Sequence, residues 1–256
     1  MDGVHFRNLF DLSGRVAVVT GGARGIGRAI AEGYIWAGAN VAVVSRNEQA
    51  CKETARYLRG LGGEAIGFAA DMASLDDLAI IVARTVAELG GLDVLVNNAG
   101  VGPFNTVGSF TVEDWQGVFD INVKGPVFLI QEALPYLKRS GHGAILNILS
   151  IAAFLNSREF PIYGSSKAAM FAHTRAAAAE LAQYGIRVNA IAPGPFDTEL
   201  LRSQTPNPEA VGAVTMLKRV ASPDEIVGPA LMLTSDAGSF VTGQVLMVDG
   251  GYVVAR

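Results

Sequence analysis

The sequence predicts a doubly wound α/β fold, a seven-stranded parallel sheet with helices on both faces, on three observations. Short apolar runs alternate with stretches of helical periodicity, the pattern of strand–helix–strand units in a parallel sheet. The runs are nearly continuous in Val, Ile, Leu and Ala rather than alternating with polar residues, as strands buried on both sides require. The 256 residues, without internal repeat or long linker, suit one α/β domain spanning 1–256.

The first strand is expected at 16–20, Val-Ala-Val-Val-Thr, and a glycine-rich turn leads from it to a helix at 26–36. Strand 41–44 precedes helix 49–61, and strand 65–70 precedes helix 75–89, whose start is marked by Ser74. Strand 94–96 is followed by two helical stretches, 112–121 and 126–138, and strand 144–149 by the longest helix, 162–184. Strand 188–191, a helix at 223–235 opened by Ser222-Pro223, and strand 245–248 complete the sheet. The stretch 198–217 interrupts the last strand–helix unit. With Pro206, Pro208 and mixed polarity, it predicts a mobile insertion over the site.

Half of the residues are apolar, 17% are charged and 30 are glycine, a composition for tight packing rather than disorder. The net charge of −4 argues against a nucleic-acid partner. No apolar run reaches the ~18 residues of a membrane span, and the first seven residues lack a basic region followed by an apolar one. A soluble cytoplasmic protein without a membrane partner is expected. Cys51 is the sole cysteine, so no intrachain disulfide forms. His5, His142 and His173 are far apart without ligand spacing, so no catalytic metal is expected.

Chemistry enters at Thr20-Gly21-Gly22-Ala23-Arg24-Gly25-Ile26-Gly27, between the first strand and the first helix. Small residues at Gly21, Gly25 and Gly27 let the backbone approach a pyrophosphate, and the helix N-terminus at Ile26 offers N–H donors and a positive dipole end. The spacing is G-x-x-x-G-x-G, and its strand–turn–helix setting marks a dinucleotide-binding Rossmann fold. After the second strand, where an acid would bond a ribose 2′-hydroxyl, stand Ser45, Arg46 and Asn47. A guanidinium and a hydroxyl suit a 2′-phosphate, with Arg24 in reach of the same region, so NADP(H) is favoured over NAD(H). Asp71-Met72, past the third strand, is expected beside the adenine. Asn97-Asn98-Ala99-Gly100, past the fourth, puts Asn98, Ala99 and Gly100 at the carboxyl edge of the sheet, where ligands of such folds bind.

Tyr163 and Lys167 are four residues apart on one helix face, with Ser150 thirteen residues before the tyrosine. A phenol titrates near ~10 and is a poor acid–base catalyst at neutral pH, but an adjacent ammonium favours phenolate and lowers that value. Substrate-facing residues are expected in 101–104, 152–160 and 196–216. There Phe104, Phe154, Leu155, Leu200, Leu201 and Met216 suit an apolar or acyl substrate, and Asn156, Arg158 and Arg202 suit hydroxyls or an anion.

With these pieces in order, from 12 to 252, the chain resembles the short-chain dehydrogenase/reductase family. The motifs are the loop at 20–27, Asn97-Asn98-Ala99-Gly100, Asp120-Ile121-Asn122-Val123, Ser150 ending Asn147-Ile148-Leu149-Ser150, Tyr163 with Lys167, Pro193-Gly194 followed by Thr198, and Val248-Asp249-Gly250-Gly251. The resemblance implies a tetrad of Asn122, Ser150, Tyr163 and Lys167 and hydride transfer between a nicotinamide and a carbonyl or alcohol substrate. Tyr163 would donate the proton, Ser150 would bond the carbonyl oxygen, Lys167 would also bind the nicotinamide ribose, and Asn122 would hold a water for proton resupply. The segment with Pro193, Gly194, Phe196 and Thr198 would clamp the carboxamide and phosphates. Two departures are Phe196, where Val or Ile is usual and an aromatic either narrows the pocket or sits in the core, and Leu149 before Ser150.

Residues 8–14 look like the start of gluconate 5-dehydrogenase-like members, and the body is similar to 3-oxoacyl-carrier-protein reductases. Three functions follow: an NADP(H)-dependent 3-oxoacyl or ketone reductase, a polyol or sugar-acid dehydrogenase, and a nucleotide-sensing module without catalysis. Loss of Tyr163 or Lys167 would mark the third, and both are present. Family members are commonly tetramers. The small-residue face of Ala168, Ala169 and 176–179 and the apolar segment 250–254 suit either subunit contacts or intramolecular core; with the family's habit, a homotetramer is expected.

Overall fold

Successive residues of each strand feed two different cores. In β1 (Val16–Thr20) Ala17 and Val19 join one apolar cluster and Val18 the other, and in β2 (Asn40–Ser45) Val41 and Val43 oppose Ala42 and Val44. The two-residue period of a strand sends neighbours to opposite faces. This explains the continuous apolar runs: both faces are covered. In this computed structural model, which describes residues 8–155 and 159–255, β3 (Ala65–Ala69), β4 (Val94–Asn97), β5 (Ala144–Ile148), β6 (Arg187–Pro193) and β7 (Val245–Val248) complete a seven-stranded sheet of order 3-2-1-4-5-6-7. Every pairing is parallel.

One face is packed by Ile30 and Tyr34 of α1 (Gly25–Trp36), Ala55 and Leu58 of α2 (Glu48–Gly60), and Ala230 and Leu233 of a later helix, Val227–Thr234. The other is packed by Ile81 of α3 (Leu75–Leu89), Leu129 and Leu137 of α5 (Gly125–Ser140), and Ala178 and Leu181 of α6 (Pro161–Leu181). Each fully buried Leu or Ile contributes about 1.5–3 kcal/mol. The chain order reverses between β3 and β4, so β1 and β4 are neighbours and a crevice opens beyond their carboxyl ends.

The structure differs from the sequence expectation in two places that bear on the site. Helix α4 (Val112–Phe119) does not stop before α5; a π-helical segment, Asp120–Lys124, joins them. Pro126 suggests a break, yet in the first turn of α5 its missing N–H costs little. Gly125 lets the join press on the chain after β3, since a Cβ there would sit 2.4 Å from the Met72 carbonyl oxygen. The stretch 198–217, expected as a mobile insertion without assigned helices, forms α7 (Glu199–Gln204) and α8 (Pro208–Val214), N-capped by Thr198 and Asn207. Six and seven residues are too few for a helical period to be legible. Val227–Thr234, introduced above, is α9 and follows a 3-10 turn at Pro223–Ile226. Among the described residues no helix is long and apolar enough to cross a membrane, and no cluster of His, Cys, Asp or Glu could hold a metal.

Candidate active site

The glycine loop is built for close backbone approach. Gly21 and Gly25 have φ of 64° and 53°, a region that disfavours residues with a Cβ. A Cβ at Gly27 would lie 2.3 Å from the Asn98 amide nitrogen and 2.4 Å from the Gly21 oxygen. The Asn98 side chain donates to the carbonyls of Thr20 (2.9 Å) and Gly21 (3.2 Å), and the Thr20 hydroxyl accepts from the backbone N–H groups of Asn98 and Ala99. Asn98 and Ala99 therefore hold the end of β4 against the loop.

Helix α1 opens without a side-chain cap. Its N-cap residue is Arg24, whose side chain accepts nothing from the first turn; Asn47, Ser74, Thr111, Thr198 and Asn207 cap α2, α3, α4, α7 and α8, while α5, α6 and α9 also lack a side-chain cap. Orphan N–H donors and the positive dipole end at Gly25 and Ile26 suit an anion, so the residues fit a dinucleotide pyrophosphate.

At the end of β2 the Ser45 hydroxyl lies 3.1 Å from the Cys51 sulfur and accepts from the Asn47 N–H at 3.3 Å. Asn47 itself caps α2 by accepting from Ala50 N–H. Arg46 is exposed and has no ion pair among the described residues, which leaves its guanidinium free for a phosphate. Arg24 is already engaged: its Nη1 donates to the Glu199 carboxylate at the start of α7. Asp71 turns back to accept from Ala73 N–H at 2.9 Å, and Met72 is buried against Gly125.

The four residues of the expected tetrad converge at the ends of β4 and β5. Ser150 follows β5 and shares a side-chain hydrogen bond with Tyr163 on the first turn of α6. Lys167, one turn on, is buried; its Nζ donates to the Ile148 carbonyl at 2.8 Å and lies 5.6 Å from the Tyr163 ring centre. Asn122, in the π-helical segment, accepts from Val101 N–H and donates to Val101 C=O, both at 2.9 Å, and donates to Ser166 Oγ at 3.0 Å. Ser166 in turn donates to the Tyr163 carbonyl at 2.7 Å. Gly100 leaves room for the group, as a Cβ there would be 3.2 Å from Asn122 Oδ1 and 3.4 Å from Lys167 Nζ.

A buried ladder that the sequence did not single out braces β5 and α6. Asn97 donates to the Asn147 amide oxygen, and Asn147 donates to Thr174 Oγ1, each at 2.9 Å.

Burial dominates the proton equilibria. It raises the Tyr163 phenol above the ordinary tyrosine value, and the Ser150 hydrogen bond draws it partway back. Burial also pushes Lys167 down to about 8. The lowering of the phenol expected from the ammonium is not found: desolvation of the charged form shifts both side chains, and only the Ser150 hydrogen bond lowers the phenol. Tyr163 holds its proton at neutral pH, the state of a general acid.

Across the crevice, Gly194 N–H donates to Val248 C=O, and a Cβ on Gly194 would lie 2.6 Å from Asp249 Cα. Phe196 does not narrow the crevice; it is buried in the core face shared with α1 and α9. Thr198 stands over Gly25, where a Cβ would be 3.3 Å from Thr198 Cγ2. At the other end of α7, Gln204 donates to Gly102 C=O at 3.0 Å, and a Cβ on Gly102 would be 3.1 Å from the Tyr163 ring. Gln204 falls in the broad substrate-facing range 196–216, and nothing in the sequence distinguishes it there. Phe104 packs edge-on against Phe160 and Phe154 against Phe171, while Arg202 is paired with both oxygens of Asp197. Asn156 and Arg158 lie outside the described residues.

Known proteins are similar to this chain over nearly its whole length. The family described as enoyl-(acyl carrier protein) reductase matches residues 21–253. A rhamnolipid-biosynthesis 3-oxoacyl-[acyl-carrier-protein] reductase of Pseudomonas aeruginosa is 38% identical, over 95% of this chain and 98% of that protein. A 2-dehydro-3-deoxy-D-gluconate 5-dehydrogenase of Dickeya dadantii is 34% identical, over 96% and 98%. Among solved structures, a gluconate 5-dehydrogenase from Burkholderia cenocepacia in complex with NADP and tartrate superposes with a TM-score of 0.93 at 34% identity, covering 98% of this chain and all of that one.

Proposed function

The chain belongs to the short-chain dehydrogenase/reductase family, and from that premise we propose that it is an NADP(H)-dependent reductase of 3-oxoacyl or simple ketone groups. The observation that carries the reading is the Tyr163 phenol, hydrogen-bonded to Ser150 beside the buried Lys167. When bound, the nicotinamide supplies or takes up hydride at the substrate carbon. Tyr163 releases its proton to the carbonyl oxygen, and the Ser150 hydroxyl donates to the same oxygen as charge develops. Lys167 binds the nicotinamide ribose and restores the tyrosine proton, and Asn122 fixes the 101 backbone and, through Ser166, the first turn of α6. The uncapped start of α1 takes the pyrophosphate, and Arg46 with Arg24 meets the 2′-phosphate. NADP in the Burkholderia relative supports this assignment.

The walls favour an apolar substrate. Phe104, Leu200 and Met216 are exposed, while Asp197 neutralises Arg202, the described cation nominated for an anionic substrate. Trp115 and Phe119, stacked on the exposed face of α4, and the fully exposed Phe240 supply apolar surface for a homotetramer. A lone, buried Cys51 fits a cytoplasmic enzyme.

The reading is tested by NADPH and NADH consumption over a panel of a 3-oxoacyl thioester, aryl ketones, a diketone and 5-ketogluconate. Turnover of thioester or ketones with NADPH is expected. Selective turnover of 5-ketogluconate would move the enzyme to the sugar-acid class.

A further inference from the structure

Arg24 has two claimants. It is the N-cap residue of α1, in the loop that receives the cofactor phosphates, yet its guanidinium is paired with Glu199, the first residue of α7. The two lie 175 positions apart in sequence. Their side chains are 73% and 64% exposed, so the pair is weakly held and open to exchange. Thr198, the preceding residue, sits directly over Gly25, and the far end of α7 is fastened by Gln204 to Gly102, against the Tyr163 ring. Helix α7 thus spans the distance from the phosphate loop to the tyrosine, tied down at both ends. Arg46, by contrast, has no carboxylate partner among the described residues.

We propose that Glu199 competes with the cofactor 2′-phosphate for Arg24 and thereby sets how strongly NADP(H) is preferred over NAD(H). A phosphate monoester carries about −1.5 to −2 charges at pH 7 and three acceptor oxygens. To use Arg24 it must displace the Glu199 carboxylate, which then remains as a like charge nearby. A cofactor with a bare 2′-hydroxyl leaves the pair intact. The penalty therefore falls on NADP(H) alone, and it is paid at the residue that anchors α7 to the phosphate loop. This inference rests on Arg24 reading the 2′-phosphate.

The test is the binding of NADPH, NADH and 2′,5′-ADP to the full-length chain and to Glu199→Gln, Arg24→Ala and the double variant, followed by fluorescence or calorimetry. Removing the competing charge is expected to tighten NADPH and 2′,5′-ADP about two- to fivefold, the scale of an exposed ion pair, and to leave NADH unchanged. The gain should shrink at high salt and vanish when Arg24 is alanine. If Arg24→Ala weakens NADPH but Glu199→Gln changes nothing, or tightens NADH equally, the competition is wrong while the role of Arg24 stands. If Arg24→Ala leaves NADPH affinity unchanged, Arg24 does not read the phosphate and the inference falls with that premise.

Discussion

Asn122 and Val101 are joined by two hydrogen bonds of 2.9 Å, the side-chain amide of one reproducing a backbone pairing with the other. The amide also donates to Ser166, whose hydroxyl donates to the Tyr163 carbonyl, so one buried side chain ties the loop after β4, through Ser166, to the first turn of α6. Asn122→Ala leaves the Val101 groups and the Ser166 hydroxyl short of partners. We expect a loss of about 1–3 kcal/mol in denaturant unfolding together with a fall in kcat, because Tyr163 loses its register. Asn122→Asp, which keeps the acceptor, should retain the bond from Val101 N–H but not the two donated bonds.

The Lys167 ammonium is expected to impose a pH dependence on both rate and stability. Its pKa is lowered by burial from 10.5 to about 8, so the folded protein releases this proton before the unfolded chain does. Between about pH 8 and 10.5 the unfolded state binds more protons, and the stability of the protein rises with pH in that window; below it the burial cost is fully present. Ketone reduction should fall as pH increases through about 8. Comparing unfolding curves of the protein and of Lys167→Met across this range checks the sign: the variant should lack the rise.

Cofactor choice should follow the free guanidinium. Ser45→Asp with Arg46→Ile replaces a phosphate-binding edge by a carboxylate suited to a 2′-hydroxyl, and should weaken NADPH about 10- to 100-fold while strengthening NADH. Titration of both cofactors gives the result directly. Unchanged preference would mean the 2′-phosphate is read elsewhere.

Gly27 has no space for a side chain, since a Cβ would lie 2.3 Å from the Asn98 amide nitrogen. Gly27→Ala should push Asn98 off the Thr20 and Gly21 carbonyls and open the loop, with at least a tenfold loss of NADPH affinity expected by titration. Ser45 and Arg46 are untouched, so NADH should weaken in parallel.

Local signals made much of this legible in the sequence. Strands such as Val41-Ala42-Val43-Val44 are visible because both faces are buried, and the Tyr163–Lys167 spacing is visible because a helix turn brings i and i+4 together. Contacts made by chain reversal were not. Nothing near Gln204 announces Gly102, nothing near Arg24 announces Glu199, and Asn97, Asn147 and Thr174 form a ladder only once β4, β5 and α6 are side by side. The π-helical join was hidden by Pro126, which reads as a break. The phenol also ran against the local argument: spacing predicts lowering by an ammonium, whereas burial of the whole site, a property of the fold, raises it.

The most direct test of Tyr163 as proton donor is NADPH-dependent reduction of ketone and 3-oxoacyl thioester substrates by the protein and by Tyr163→Phe, with NADPH binding measured on both. Turnover by the protein, a loss of at least ~100-fold in the variant and equal NADPH affinity are expected. A variant that binds NADPH and reduces the same substrates at an undiminished rate would contradict Tyr163 as the proton donor.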